Sequence, residues 1–181
     1  MPNGAPSATS RPEPEPTPPR PPSPVGAARL RTIGYAPATP ATLMAALGAA
    51  GVEMVVDGRA VPASRRPGFA KGSLSATLEA AGIAYRHLKG LGTPAAGREA
   101  ARAGRTAQMR AIFAAHLEGL EAQAALVELE ELVRGGRRVC LLCLEADPAH
   151  CHRSLVADAL AARLDLEVHH LQPAPPAELR P

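Results

Sequence analysis

The chain has 181 residues, 46% of them hydrophobic, enough for one domain of ordinary size with a sizeable core. Aromatic residues make up only 2% and Trp is absent, so the core must be built from Ala, Leu and Val, and the several exposed rings of a stacking-type single-strand binder are missing. The formal charge of +3 is too small to argue for nucleic acid, and no apolar run approaches the ~20 residues of a membrane span.

Arg carries nearly all the positive charge, since Lys71 and Lys89 are the only lysines. Arginines suit bidentate contact with phosphate or carboxylate. Most of them, Arg66 and Arg137 included, read as solvated surface; those at strand ends are the exceptions. The three cysteines are an odd number, and no secretory apolar segment precedes the domain. Both observations point to a reducing, cytoplasmic setting.

Residues 1–28 form a Pro-rich segment, with ten of the twenty prolines in Met1–Pro24. Such a stretch cannot bury enough apolar surface to offset its ordering entropy and is expected to be disordered. The domain is expected over residues 29–172, followed by a flexible tail at 173–181. Leu30–Tyr35 reads as a strand. Thr39 caps a helix that has Pro40 at its first position and runs through Ala41–Ala50. Val52–Asp57 is a second strand, apolar at its end as a two-sided parallel strand should be. Gly58–Gly72 is a long loop with four basic residues, and loops of that length are often functional. Ser73 is expected to cap the next helix, Leu74–Ala81. Ile83–Leu88 is the third strand, followed by a Gly-rich turn, Lys89–Gly97. A helical stretch, Arg98–Arg134, should break around Gly104 and near Gly119. Arg137–Glu145 is the fourth strand, Cys151–Leu164 the last helix and Leu166–Leu171 the fifth strand. Alternating strands and helices imply right-handed crossovers. The expected fold is α/β: a single three-layer, Rossmann-like domain with a mainly parallel sheet of about five strands.

Ligands of an open parallel sheet bind outside the carboxyl ends of the strands. Tyr35 follows the first strand, and Asp57 and Arg59 follow the second and run into Ser64 and Arg65. Cys143 and Glu145 end the fourth, with Cys151, His152 and Arg153 opening the helix behind. Reactive residues thus gather at one rim. Glu145 is a candidate acid or base; its bland role is to pair with Arg153. Cys151 sits at a predicted helix N-terminus beside His152 and Arg153, where the helix dipole would favour a thiolate. Cys140 and Cys143, flanked by leucines, read as core. Asp57 is either catalytic or a loop-fixing acceptor of backbone N–H groups. Arg59, Arg65 and Arg153, with Ser64 and His152, could converge on one anion at the helix start. Tyr35 or Phe69 could stack on a ring.

Cys143, His150, Cys151 and His152 could in number supply four zinc ligands. Adjacent Cys151 and His152 do not readily share one tetrahedral ion, however, and no C-x-x-C knuckle is present, so neither metal nor cofactor is expected. The spacing also departs from the C-x5-R loop of cysteine phosphatases.

Thr32-Ile33-Gly34-Tyr35, Val55-Val56-Asp57-Gly58-Arg59, Pro62-x-Ser64-Arg65 and Cys143-x-Glu145-x5-Cys151-His152-Arg153 together resemble the domain of unknown function 488 family. The resemblance runs from about Arg31 to Leu171, and its most specific part is Glu-x5-Cys-His-Arg. Family members commonly read Asp-Val-Arg where this chain has Asp57-Gly58-Arg59, which adds backbone freedom beside Arg59. The resemblance implies a compact α/β domain with its motif residues at one rim, and no particular activity. From the residues, the expected function is an enzyme, a hydrolase or transferase, on a phosphate-bearing small molecule, nucleotide or nucleic acid. The alternative is a non-catalytic nucleotide- or anion-binding module using the same pocket, for which an association with nucleic acid is one setting.

Overall fold

A computed structural model describes residues 28–174. The expected disorder of the Pro-rich segment therefore falls outside the described residues, apart from Ala28 itself, which opens the first strand. Five parallel strands form one sheet in the order β3-β2-β4-β1-β5: β1 Ala28–Gly34, β2 Met54–Asp57, β3 Ala84–His87, β4 Val139–Cys143 and β5 Leu166–Leu171. The helices are α1 Pro40–Ala49, α2 Lys71–Ala80, α3 Ala95–Arg102, α4 Thr106–Leu117, α5 Leu120–Arg134 and α6 His152–Ala161. The three-layer α/β expectation holds. No helix among the described residues is long and apolar enough to cross a membrane.

Alternation along the strands sorts the core into two layers. Ile33, Val55, Cys140 and Leu142 pack with Leu43 and Leu47 of α1 and Leu74 and Leu78 of α2. Leu30, Val56, Val139 and Leu141 pack with Phe113 of α4, Leu126 and Leu129 of α5 and Val156 and Leu160 of α6. Strands β2 and β4 are buried at every position, which is why their sequences run apolar without alternation.

Local chemistry sets most boundaries. Thr39 accepts from the Thr42 N–H at 3.1 Å, and Thr42 Oγ1 accepts from the Thr39 N–H at 3.0 Å, so the cap of α1 is reciprocal. The helical stretch breaks where glycine was expected to break it: Gly104 has φ +71 between α3 and α4, and Gly119 precedes α5. Helix α2 starts earlier than expected, with Ala70 at its cap position, and Ser73 lies inside its first turn. Strand β4 ends at Cys143 rather than Glu145, and Cys151 is the N-cap of α6 rather than its first residue.

From β1 the chain passes over the place of β4 to β2 and β3, returns to β4 between β2 and β1, and ends in β5 on the far side of β1. The reversal falls between β1 and β4, where open α/β sheets usually form a ligand crevice. Here that crevice is closed. Pairing continues past the strand ends, with the Tyr35 N–H donating to the Cys143 carbonyl at 3.1 Å and the Ala36 N–H to the Leu144 carbonyl at 2.8 Å. The loop after β4 lies directly over Gly34: a Cβ there would sit 1.8 Å from the Glu145 carbonyl oxygen. Only glycine lets the loop pass.

Candidate functional site

The residues expected at the rim divide into two groups. The first surrounds Asp57 and Arg59. Asp57 is fully buried at the end of β2. Its carboxylate accepts from the Arg59 Nε at 2.8 Å, the Arg59 Nη2 at 2.6 Å, the Arg59 N–H at 3.0 Å and the Tyr85 hydroxyl at 2.6 Å. Arg59 Nη1 donates to the Tyr35 hydroxyl at 3.0 Å and to the Phe69 carbonyl at 2.8 Å. Its own carbonyl meets His87 Nε2 at 2.8 Å. The Tyr35 and Phe69 rings stack on each other at 4.5 Å, and both are buried. This is a closed framework that folds the loop after β2 against β1 and β3. A catalytic Asp57 and a stacking Tyr35 do not fit it, because neither reaches solvent and their polar atoms are engaged within the protein.

The expected convergence of Arg59, Arg65 and Arg153 on an anion does not occur either. Arg153 is fully buried. It donates from Nε to Thr32 Oγ1 at 3.3 Å, from Nη2 to the Ala146 carbonyl at 2.7 Å, and from Nη1 to the Glu145 carbonyl. A guanidinium that donates to two carbonyls and a hydroxyl holds the loop after β4 in place, and its full burial keeps it away from the surface where a phosphate would bind. Arg65 is exposed on the long loop, and Ser64 accepts there from the Arg66 N–H at 3.2 Å. Arg66, read from the sequence as surface, instead donates to the carbonyls of Tyr35 and Ala38.

The second group lies after β4. Cys143 at the strand end, Glu145 in the loop, Cys151 at the cap and His152 at the first helical position bring one potential ligand atom each to within 4.8 Å of one another. The Cys143 thiol donates to Glu145 Oε2 at 2.9 Å and lies 3.4 Å from His152 Nδ1. The Cys151 thiol donates to the same Glu145 oxygen at 3.2 Å and lies 3.9 Å from His152 Nδ1. His152 Nε2 donates to the Gly58 carbonyl at 3.0 Å, and its ring packs on Phe113 at 5.1 Å. The imidazole is thus held on both sides.

The surroundings of Cys151 do not favour the thiolate expected there. It is fully buried. Burial pushes its thiol well up, and the neighbouring Cys143 thiol adds to this against the pull of His152. Burial also pushes the Glu145 carboxyl up. Hydrogen bonds from the Cys143 thiol, its own backbone and the Cys151 thiol outweigh that and hold it below the usual carboxylate range. Glu145 therefore carries its charge at neutral pH, facing two thiols.

A cleft of about 450 Å³ opens beside this cluster. It is lined by Leu144, Glu145, His150 and His152 from the loop after β4 and the start of α6, and by residues that include Thr93, Arg98, Arg102, Thr106 and Met109 from the turn before α3 and from α3 and α4. Arg98 Nη1 donates to the Thr93 carbonyl at 2.7 Å, which orients its side chain. Arg98, Arg102 and Thr93 were missed in the sequence. They stand in a Gly-rich turn and a helix where arginines read as ordinary surface, and only the packing of the folded chain brings them to the same cleft as Glu145. Cys143, read as packing, belongs to the cluster.

No curated protein and no solved structure matches this chain. The family described as Domain of unknown function DUF488 matches residues 39–160, well over half of the chain and spanning α1, Asp57 and Arg59, the cluster after β4 and nearly all of α6, so the chain belongs to the domain of unknown function 488 family.

Proposed function

We propose that this protein is an enzyme acting on a phosphate-bearing small molecule or nucleotide in the cleft beside Glu145. The observation that carries the reading is the mixture of chemistries that lines one cavity: a charged carboxylate, an imidazole and two arginines. Its volume lies within the range of small-ligand pockets. Arg98 and Arg102 hold the anionic group. Glu145 serves as acid or base, with a carboxylate held charged by thiol donors and able to take a proton from water or a hydroxyl. His152 faces the same space. Arg59, Arg65, Ser64 and Arg153 are not part of the ligand site in this reading. The three cysteines are free, in keeping with a reducing, cytoplasmic setting.

Equilibrium binding of pyrophosphate and of a nucleoside monophosphate tests it. The expected result is binding that weakens by ~10-fold or more in Arg98→Ala and Arg102→Ala, the loss of one charge-assisted contact each. Equal affinities in wild type and both variants overturn the anion site. A second reading, a non-catalytic anion-binding module, is favoured by one observation: neither thiol lines the cleft. Wild type that binds the nucleotide and leaves every phosphate bond intact decides for the module.

A further inference from the structure

From the donor set behind the cleft we infer that Cys143, Cys151, His152 and Glu145 form a binding site for one divalent metal ion of the zinc class. The inference stands on ligand geometry and not on the phosphate reading. Around a tetrahedral zinc ion, bonds of about 2.3 Å to sulfur and 2.0–2.1 Å to nitrogen or oxygen place neighbouring ligand atoms about 3.4–3.8 Å apart. The four contacts here span 2.9, 3.2, 3.4 and 3.9 Å, and all pairs fall within 4.8 Å. The set closes on an ion with side-chain shifts on the order of 1 Å or less.

Three further features fit a metal ligand set better than a packed core. The imidazole donates from Nε2 to the Gly58 carbonyl, so the neutral ring keeps its lone pair on Nδ1, the atom that faces the thiols. That is the usual outer support of a ligating histidine. The cluster presents lone pairs to its own centre from two sulfurs, one nitrogen and one carboxylate, a mixture in which soft thiolates select zinc-like ions over magnesium or calcium. Cys151 and His152 reach one point because Cys151 is the extended cap, with φ −124 and ψ 146, while His152 is the first helical residue. Neighbours inside a helix would point about 100° apart.

Cys143, Cys151 and His152 are buried and form the fixed part of the site. Glu145 is less buried and lies on the cleft wall, so the fourth position opens towards the cleft. On binding, each of the two thiols releases its proton to solvent, and the ion takes their place as the partner of the carboxylate.

The test uses the full chain, reduced and stripped with a chelator, then titrated anaerobically with cobalt(II). The expected result is one cobalt per chain, with thiolate-to-cobalt charge transfer and the visible bands of a tetrahedral ion, both displaced by zinc. Cys140→Ala keeps the bands, Glu145→Gln keeps the thiolate transition with affinity reduced ~10-fold or more, and Cys143→Ser or Cys151→Ser loses it. Arg98→Ala and Arg102→Ala keep the bands while losing phosphate, which separates this site from the anion reading. Wild type that is folded by circular dichroism and takes up no cobalt overturns the inference. So does a Cys143–Cys151 disulfide whose reduction restores no uptake. If the serine variants do not fold, wild type, Cys140→Ala and Glu145→Gln still decide it.

Discussion

The carboxyl ends of β2 and β4 lie side by side in the sheet and carry similar-looking residues. At β2, acid, base and hydroxyl satisfy one another. Asp57 faces Arg59 and Tyr85, and the remaining Arg59 donor meets Tyr35 and Phe69. At β4, two thiols, an imidazole and a carboxylate converge on one another, and the arginine next in sequence turns away to the carbonyls of the loop. Reactivity by residue type is therefore a poor guide at a strand end. What separates a framework from a site is whether complementary partners are already present.

The largest expected break in that contrast is Asp57→Ala. It leaves the Arg59 guanidinium buried without its counter-charge and is expected to cost about 3–5 kcal/mol, read from urea unfolding. A loss below ~1 kcal/mol with abolished turnover would return Asp57 to the catalytic set. Gly34→Ala acts on the other side. The new Cβ must displace the Glu145 carbonyl, so an overpacking cost of about 1–3 kcal/mol and weaker cobalt uptake are expected together. Stability loss without a change in uptake would show that the loop after β4 adjusts independently of the cluster.

Tyr85→Phe removes a hydroxyl bonded to a charged carboxylate and is expected to cost about 1.5–3 kcal/mol at neutral pH, with the lower end favoured because the tyrosine is half-buried. It also carries a pH signature. Burial, with the bond to Asp57, pushes the Tyr85 phenol above its usual value of ~10. The folded state holds that proton more tightly than the unfolded chain. The contribution is complete below pH ~10 and is lost as pH rises beyond it. Unfolding midpoints at pH 8 and pH 11 should therefore fall further for wild type than for the variant; parallel losses would remove Tyr85 as the cause. The smallest expected change in stability is Glu145→Gln, under ~1 kcal/mol, since an amide oxygen still accepts from both thiols. Its turnover should drop by about 10²–10⁴ with phosphate binding retained, the range for loss of an acid–base group. Unchanged turnover would leave Glu145 a ligand only.

The strand–helix alternation, the two-sided character of β2 and the glycine breaks at Gly104 and Gly119 were legible because each depends on a few neighbouring residues. The rim itself was legible too, since parallel sheets place every loop of one kind at the same edge. The choice among rim residues was not. Arg59 and Arg153 look like ligands for an anion until the carbonyls and the carboxylate that consume their donors are located, and those come from residues such as Phe69, Glu145 and Ala146 whose positions only the folded loops define. Cys151 looked activated because a helix dipole is a local property, whereas the burial that overrides it comes from the surrounding packing.

By itself the sequence determined the α/β architecture, the edge of the sheet at which its polar and reactive residues gather, and the place of Glu145, Cys151 and His152 at that edge. Periodicity and caps are short-range, and a chain of 181 residues repeats them often enough to be read. Tertiary structure alone decided that the crevice between β1 and β4 is closed over Gly34, that Arg98 and Arg102 line one cleft with Glu145, and that Cys143 joins the cluster with Glu145, Cys151 and His152. Those outcomes depend on distances between groups far apart in the chain, and no spacing in the sequence encodes a distance through space.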